Sequence, residues 1–142
     1  MKKILTILLI LTLMSCDSIK TNDIIFENLT IYTPRANNKV TAGFTDIINN
    51  SSDTITINSI SSPQFSIVEI HETIMNNGVA SMIKINTLTI PKKQSVSLKP
   101  GGKHLMLIDP IKSISEGEEI SLIIELSSNE TMMLKTPAVS RF

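Results

Sequence analysis

The chain has one cysteine, no tryptophan, one tyrosine and two histidines in 142 residues. A lone cysteine excludes an internal disulfide and a Cys-x-x-Cys exchange site, so a hydrophobic core alone has to supply the stability. No stretch of Lys and Arg is spaced to follow a phosphate backbone, and 13 basic residues face 13 acidic ones, which argues against a nucleic-acid partner. The longest apolar run, residues 4–14, covers eleven residues, whereas a membrane-crossing helix takes about 20. No window of helical length keeps a helical apolar period, although residues 111–119 have room for a turn or two. Internal repeats and low-complexity segments are missing. So are the catalytic patterns: there is no Ser/His/Asp set and no glycine-rich phosphate loop between a strand and a helix. Glu69 and Glu72 beside His71 read as solvated charges rather than an acid/base pair. No enzyme is expected.

What is present starts with an export signal. Lys2 and Lys3 precede the apolar run, and Leu13-Met14-Ser15-Cys16 closes it, the arrangement of a secretory signal peptide. A leucine three residues before a cysteine, with a small residue immediately before it, resembles the bacterial lipoprotein box. That resemblance implies removal of residues 1–15 and lipid attachment at Cys16. Losing Lys2 and Lys3 leaves 11 basic against 13 acidic residues, a formal charge of −2. Residues 16–22 then form the lipidated cysteine and a short polar tether, and residues 23–142 make one domain with enough length to bury a core.

That domain is a succession of short segments rich in Ile, Val, Thr and Leu, separated by Asn, Ser, Pro and Gly. The pattern predicts strands over residues 24–32, 40–48, 54–60, 65–75, 79–90, 95–98, 104–108, 120–126 and 131–136. The breakers include Asn76-Asn77-Gly78, Pro100-Gly101-Gly102 and Asp109-Pro110. Many short strands at regular spacing predict a Greek-key β-sandwich or barrel.

Strand alternation then sorts the side chains by face. In His104-Leu105-Met106-Leu107 the leucines supply the apolar face, so His104 and Met106 project together from the other. His71 stands opposite to Val68 and Ile70, and Met82 opposite to Ile83 and Ile85. If Asn77-Gly78 forms a two-residue type I′ loop, Thr73 pairs with Met82 and His71 with Lys84, which makes His71 and Met82 diagonal neighbours. A three-residue loop of Asn76-Asn77-Gly78 would invert that parity. Met75 reads as core or rim, and Met132 and Met133 read as packing residues on opposite faces of the last strand.

Two imidazoles and two thioethers form a soft, uncharged donor set that favours Cu(I) over Mg²⁺ or Ca²⁺, which take oxygen. Zinc sites use Cys, His and carboxylate instead of methionine. Blue copper needs a cysteine thiolate, and Cys16 is the only cysteine. Thioethers neither titrate nor form disulfides, so they suit an oxidising compartment.

The order His71, ten residues, Met82, twenty-one residues, His104, one residue, Met106 resembles the copper signature of the periplasmic PCu(A)C copper chaperones. Val68-Glu69-Ile70-His71-Glu72, Gly78-Val79, Leu98-Lys99-Pro100-Gly101-Gly102-Lys103-His104-Leu105-Met106-Leu107 and Gly117 resemble that family's blocks in order. Pro34-Arg35 and Ala42-Gly43-Phe44 resemble its first strands, so the likeness spans about residues 24–136. It implies an all-β, cupredoxin-like Greek-key β-sandwich and a monomer holding one Cu(I) per chain through His71, Met82, His104 and Met106. It also implies a periplasmic protein tethered by its lipid, passing copper to the binuclear copper centre of cytochrome c oxidase directly or through another chaperone. Copper buffering for resistance, or a metal-free structural lipoprotein, are the alternatives. The family often has a methionine two residues after its first histidine, where this chain has Thr73. Residues 137–142 contain no His or Met, so no second copper site is expected.

Overall fold

The computed structural model describes residues 23–141. The expected signal peptide, Cys16 and the expected tether to residue 22 lie outside the described residues. Ten strands follow in chain order: β1 Ile24–Tyr32, β2 Val40–Asn49, β3 Ile55–Ser61, β4 Phe65–Asn76, β5 Val79–Ile85, β6 Leu88–Ile90, β7 Ser95–Leu98, β8 Lys103–Pro110, β9 Glu119–Leu126 and β10 Thr131–Val139. Hydrogen bonds connect them in the order β5-β4-β8-β2-β1-β10-β9-β3-β6, with β7 on β2.

All the pairings are antiparallel except β1 with β10, a parallel contact limited to Ile31 with Ala138 and Tyr32 with Val139. That short link divides the path into two layers. Ile31, Ile47, Leu105 and Leu107 from the first meet Ile55, Ile57, Ile90, Ile120, Leu122 and Ile124 from the second, all fully buried. The alternation that builds this core is cleanest in β2, where Thr41, Gly43, Thr45, Ile47 and Asn49 are buried and their neighbours are not. Gly43 is where the first layer is tightest. A Cβ there would lie 3.3 Å from both the Ile31 and Leu105 side chains, so any larger residue would crowd the close packing of β1, β2 and β8.

Three expectations need correction. The single strand predicted over residues 79–90 is two strands in different layers: β5 pairs with β4, and after Asn86-Thr87 the chain crosses so that β6 pairs with β3. Apolar alternation continues across the crossover, so only the lone Asn86-Thr87 pair marks it. Residues 111–118 hold turns and no helix; Glu118 N–H donates to Ser115 O at 3.1 Å, and Gly117 sits at φ 81°. Asp109-Pro110, expected as a breaker after a strand ending at Ile108, instead forms the end of β8, with Pro110 paired to Phe65 at the last position, where a missing N–H matters least.

Candidate metal centre

The site is organised by β4, which pairs with β8 on one side and with the edge strand β5 on the other. His71 stands directly opposite His104, and Glu69 opposite Met106. Across the other ladder His71 faces Lys84, and Thr73 faces Met82. Directly paired residues project to the same side of a sheet. His71, Met82, His104 and Met106 therefore share one face, while Ile70, Leu105 and Leu107, of the other parity, are buried in the core.

Two turns fix this register. Asn77 and Gly78 both have positive φ, at 50° and 81°, and Asn76 pairs with Val79, so the loop is the two-residue type I′ form. Lys99-Pro100-Gly101-Gly102 is a type II turn, with Gly101 at φ 78° and Gly102 N–H donating to Lys99 O at 3.1 Å. It delivers His104 into β8, and Thr73 N–H donates to Gly102 O at 3.2 Å, tying this turn to β4.

The histidine rings are 6.2 Å apart between centroids and tilted by 47°. An ion about 2 Å from one nitrogen of each ring would hold centroids about 5–6.5 Å apart, depending on the angle at the metal. The ring pair therefore already has the spacing of a shared ion. His71 Nε2 lies 2.7 Å from the Glu69 carboxylate, which can only accept, so that nitrogen carries the proton. Its Nδ1 keeps a lone pair, and this atom is buried with no hydrogen-bond partner. Leaving such an acceptor unmet costs about 1–3 kcal/mol, which a bound cation would relieve. His104 Nδ1 lies 3.0 Å from Gly102 O, a carbonyl that also only accepts, so Nδ1 carries the proton and His104 Nε2 keeps the free lone pair. Each ring thus has its tautomer set by one hydrogen bond, the arrangement of a histidine prepared to ligate a metal.

The two methionines flank this pair. Both are diagonal to His71, Met106 on the Glu69 side and Met82 on the Thr73 side, and such diagonals are about 7–8 Å at the backbone. Met106 is half-buried, His104 is 9% exposed and Met82 is 58% exposed on the edge strand. The structure therefore brings the histidines together and places one flexible thioether at each side of them. Among the described residues no group of three or more His, Cys, Asp or Glu could hold a metal, so hard-ion and zinc-type sets are not assembled.

Glu69 was expected to be a solvated charge, and it is not. Its side chain is 20% exposed and binds both His71 Nε2 and Lys84 Nζ at 2.7 Å. The hydrogen bond from His71, then that from Lys84, holds its carboxyl below the usual carboxylate range. The Glu-x-His spacing places both residues on one strand face, a signal the sequence did contain. Met75 was expected in the core or at its rim, yet it is 68% exposed, on the face that carries His71. Met132 packs against the core as expected, while Met133 is exposed.

Comparison with known proteins agrees with this architecture. A family model described as "Putative lipoprotein LpqE-like" matches residues 24–138. "Putative lipoprotein Lxx21020" of Leifsonia xyli subsp. xyli (strain CTCB07) is 30% identical over 103 residues, 72% of this chain, which spans 62% of that relative's length. Among solved structures, the copper-bound PCuAC domain from PmoF2 superimposes with a TM-score of 0.69 at 15% identity, covering 83% of this chain and 93% of that one. The Cu(I) form of DR1885 from Deinococcus radiodurans gives 0.61 at 22% identity, covering 82% of this chain and 76% of that one. These likenesses establish the cupredoxin-like β-sandwich. The chain belongs to the LpqE-like family, of the PCu(A)C type.

Proposed function

We propose that this protein is an exported, lipid-anchored metallochaperone that carries one Cu(I) as cargo between His71, Met82, His104 and Met106. The observation that carries the reading is the buried, partnerless Nδ1 of His71, in a ring whose centroid is 6.2 Å from that of a second histidine. Only a cation or a hydrogen-bond donor satisfies that atom, and the donors around it are soft and uncharged. Copper in the solved neighbours, the copper-bound PCuAC domain from PmoF2 and the Cu(I) form of DR1885, supports the choice of ion.

Neutral donors suit a carrier. No proton has to leave a thioether when copper binds, and none has to return when it departs, so the exchange of one ligand for another meets little electrostatic resistance. The recipient we propose is the binuclear copper centre of cytochrome c oxidase, reached directly or through another chaperone. For the anchor, residues 1–15 are the signal and Cys16 is the lipidated residue, followed by a tether to residue 22 and the metal-binding domain. The lipoprotein descriptions of the family and of the Leifsonia relative support this part.

The test is Cu(I) titration of the domain against a chromophoric chelator. Wild type is expected to take up one equivalent, and the double variant His104→Ala with Met106→Ala to lose it. Unchanged affinity in that variant would reject the site. Deleting the gene separates the roles: loss of oxidase assembly under copper limitation supports delivery, and copper sensitivity alone supports buffering.

A further inference from the structure

We propose that Met75 and Met82 form an outer transfer site, through which Cu(I) enters and leaves the four-residue centre. The inference rests on the proposed function and adds a residue, Met75, to which that reading gives no role. In the β4–β5 hairpin Met75 pairs with Ala80 and Thr73 pairs with Met82. Met75 and Met82 are therefore diagonal neighbours on the face that carries His71. Met82 lies between His71 and Met75, one diagonal from each.

Exposure rises steadily along this row. His104 is buried and the His71 side chain is 15% exposed, whereas Met82 is 58% and Met75 68% exposed. The residues paired with the two methionines, Thr73 and Ala80, are small, so no bulky cross-strand partner covers the sulfurs. A methionine left mostly in water contributes little to packing, and an exposed, polarisable thioether next to a ligand thioether is chemically apt for a soft ion. The hairpin thus displays two exposed methionines where an acceptor can reach, while the histidines farther along the same face are more buried.

The transfer step is a ligand exchange. The Cu–N bonds to His71 and His104 and the Cu–S bond to Met106 break as a Cu–S bond to Met75 forms, with Met82 holding the ion throughout; the acceptor's first donor atom then binds copper from the solvent side. Copper remains Cu(I), no electron moves, and neither thioether gains or loses a proton. Met75 touches copper during passage but not at rest, so it lowers the barrier in both directions without changing the equilibrium.

The experiment compares wild type with Met75→Leu, Met82→Leu and Met133→Leu, using bathocuproine disulfonate as the Cu(I) probe. Leucine conserves volume and Met75 is exposed, so folding is preserved. Equilibrium competition gives affinity, and stopped-flow absorbance gives uptake and release. Met75→Leu is expected to keep wild-type affinity while both rates fall by about tenfold. Met82→Leu loses affinity, and Met133→Leu, an exposed methionine on β10, changes neither quantity. Wild-type rates in Met75→Leu overturn the proposal. So does a loss of affinity equal to that of Met82→Leu, because Met75 would then be a resting ligand. A wild-type protein that takes up no Cu(I) rejects the four-residue centre itself, and is recognised before any variant is made.

Discussion

Removing the Glu69 carboxylate isolates what holds His71 in place. Glu69 accepts from His71 Nε2 and from Lys84 Nζ, both at 2.7 Å. The Lys84 side chain is 52% exposed, so water and salt screen that arm and leave it about 0–1 kcal/mol. The His71 arm is a hydrogen bond to a charged acceptor between two mostly buried side chains, worth about 1.5–3 kcal/mol at most. Part of that is recovered when the freed ring finds water, leaving a loss in Cu(I) binding of about 1–2 kcal/mol, or about 5- to 30-fold. Glu69→Ala should therefore weaken Cu(I) by that factor. Glu69→Gln, whose amide oxygen still accepts from Nε2–H, should retain most of the affinity, and Lys84→Ala should cost less than about threefold. Chelator competition measures these affinities. Nitrogen-15 correlation spectra of the ring report the tautomer, expected to be Nε2–H in wild type and a mixture in Glu69→Ala. If Glu69→Ala keeps both the tautomer and the affinity, the carboxylate does not position the ring.

The remaining predictions concern the frame around the site. Gly43→Ala places a methyl 3.3 Å from Ile31 and Leu105, and should destabilise the apo domain by about 1–3 kcal/mol in urea denaturation, as overpacking does. Leu105→Ala empties a buried position and should cost about 2–5 kcal/mol, whereas Met106→Leu, one residue along on the other face, should leave the apo midpoint unchanged and weaken Cu(I). Gly78→Val forces a β-branched residue to φ 81°; it should cost roughly 1–2 kcal/mol and also lower Cu(I) affinity, because Met82 depends on that turn for its register. Asp46 is held below the usual carboxylate range by the Ser97 hydroxyl first and Asn28 second. Its folded value is the lower one, so the stabilisation is complete above the ordinary carboxylate value and is lost as pH falls through the folded one. Ser97→Ala should raise the Asp46 titration midpoint in carbon-13 NMR and narrow the stability gap to wild type in acid; an unmoved midpoint contradicts the assignment.

Turn chemistry makes much of this protein legible in its sequence. Asn77-Gly78 and Pro100-Gly101 each demand positive φ at a defined place, and each sets the register of the strand that follows. With the hairpin loop at two residues, parity alone puts His71 and Met82 on one face, and the β4–β8 ladder then sets His71 against His104. What could not be read was anything decided by the second layer. Where β5 ends and β6 begins depends on which sheet offers a partner, and the Ile, Leu and Thr of residues 83–90 satisfy either. The exposure of Met75 depends in the same way on how far the hairpin runs past the layer beneath it, which no local pattern encodes.

Glu69 shows a different kind of gap. Its proximity to His71 was visible, but a carboxylate near an imidazole acquires a role only when a third group defines what the other nitrogen must do. Here that constraint is burial: Nδ1 has no partner while Nε2 is committed to Glu69. The same strands that turn leucine and isoleucine into the core present nitrogen and sulfur on the reverse face, so successive residues of β8 alternate between core packing and the proposed ligand set. Under the proposed function, copper would be gained or lost at the outer face while the packing of Leu105 and Leu107 on the other face stays intact, as a carrier that must be emptied and refilled requires.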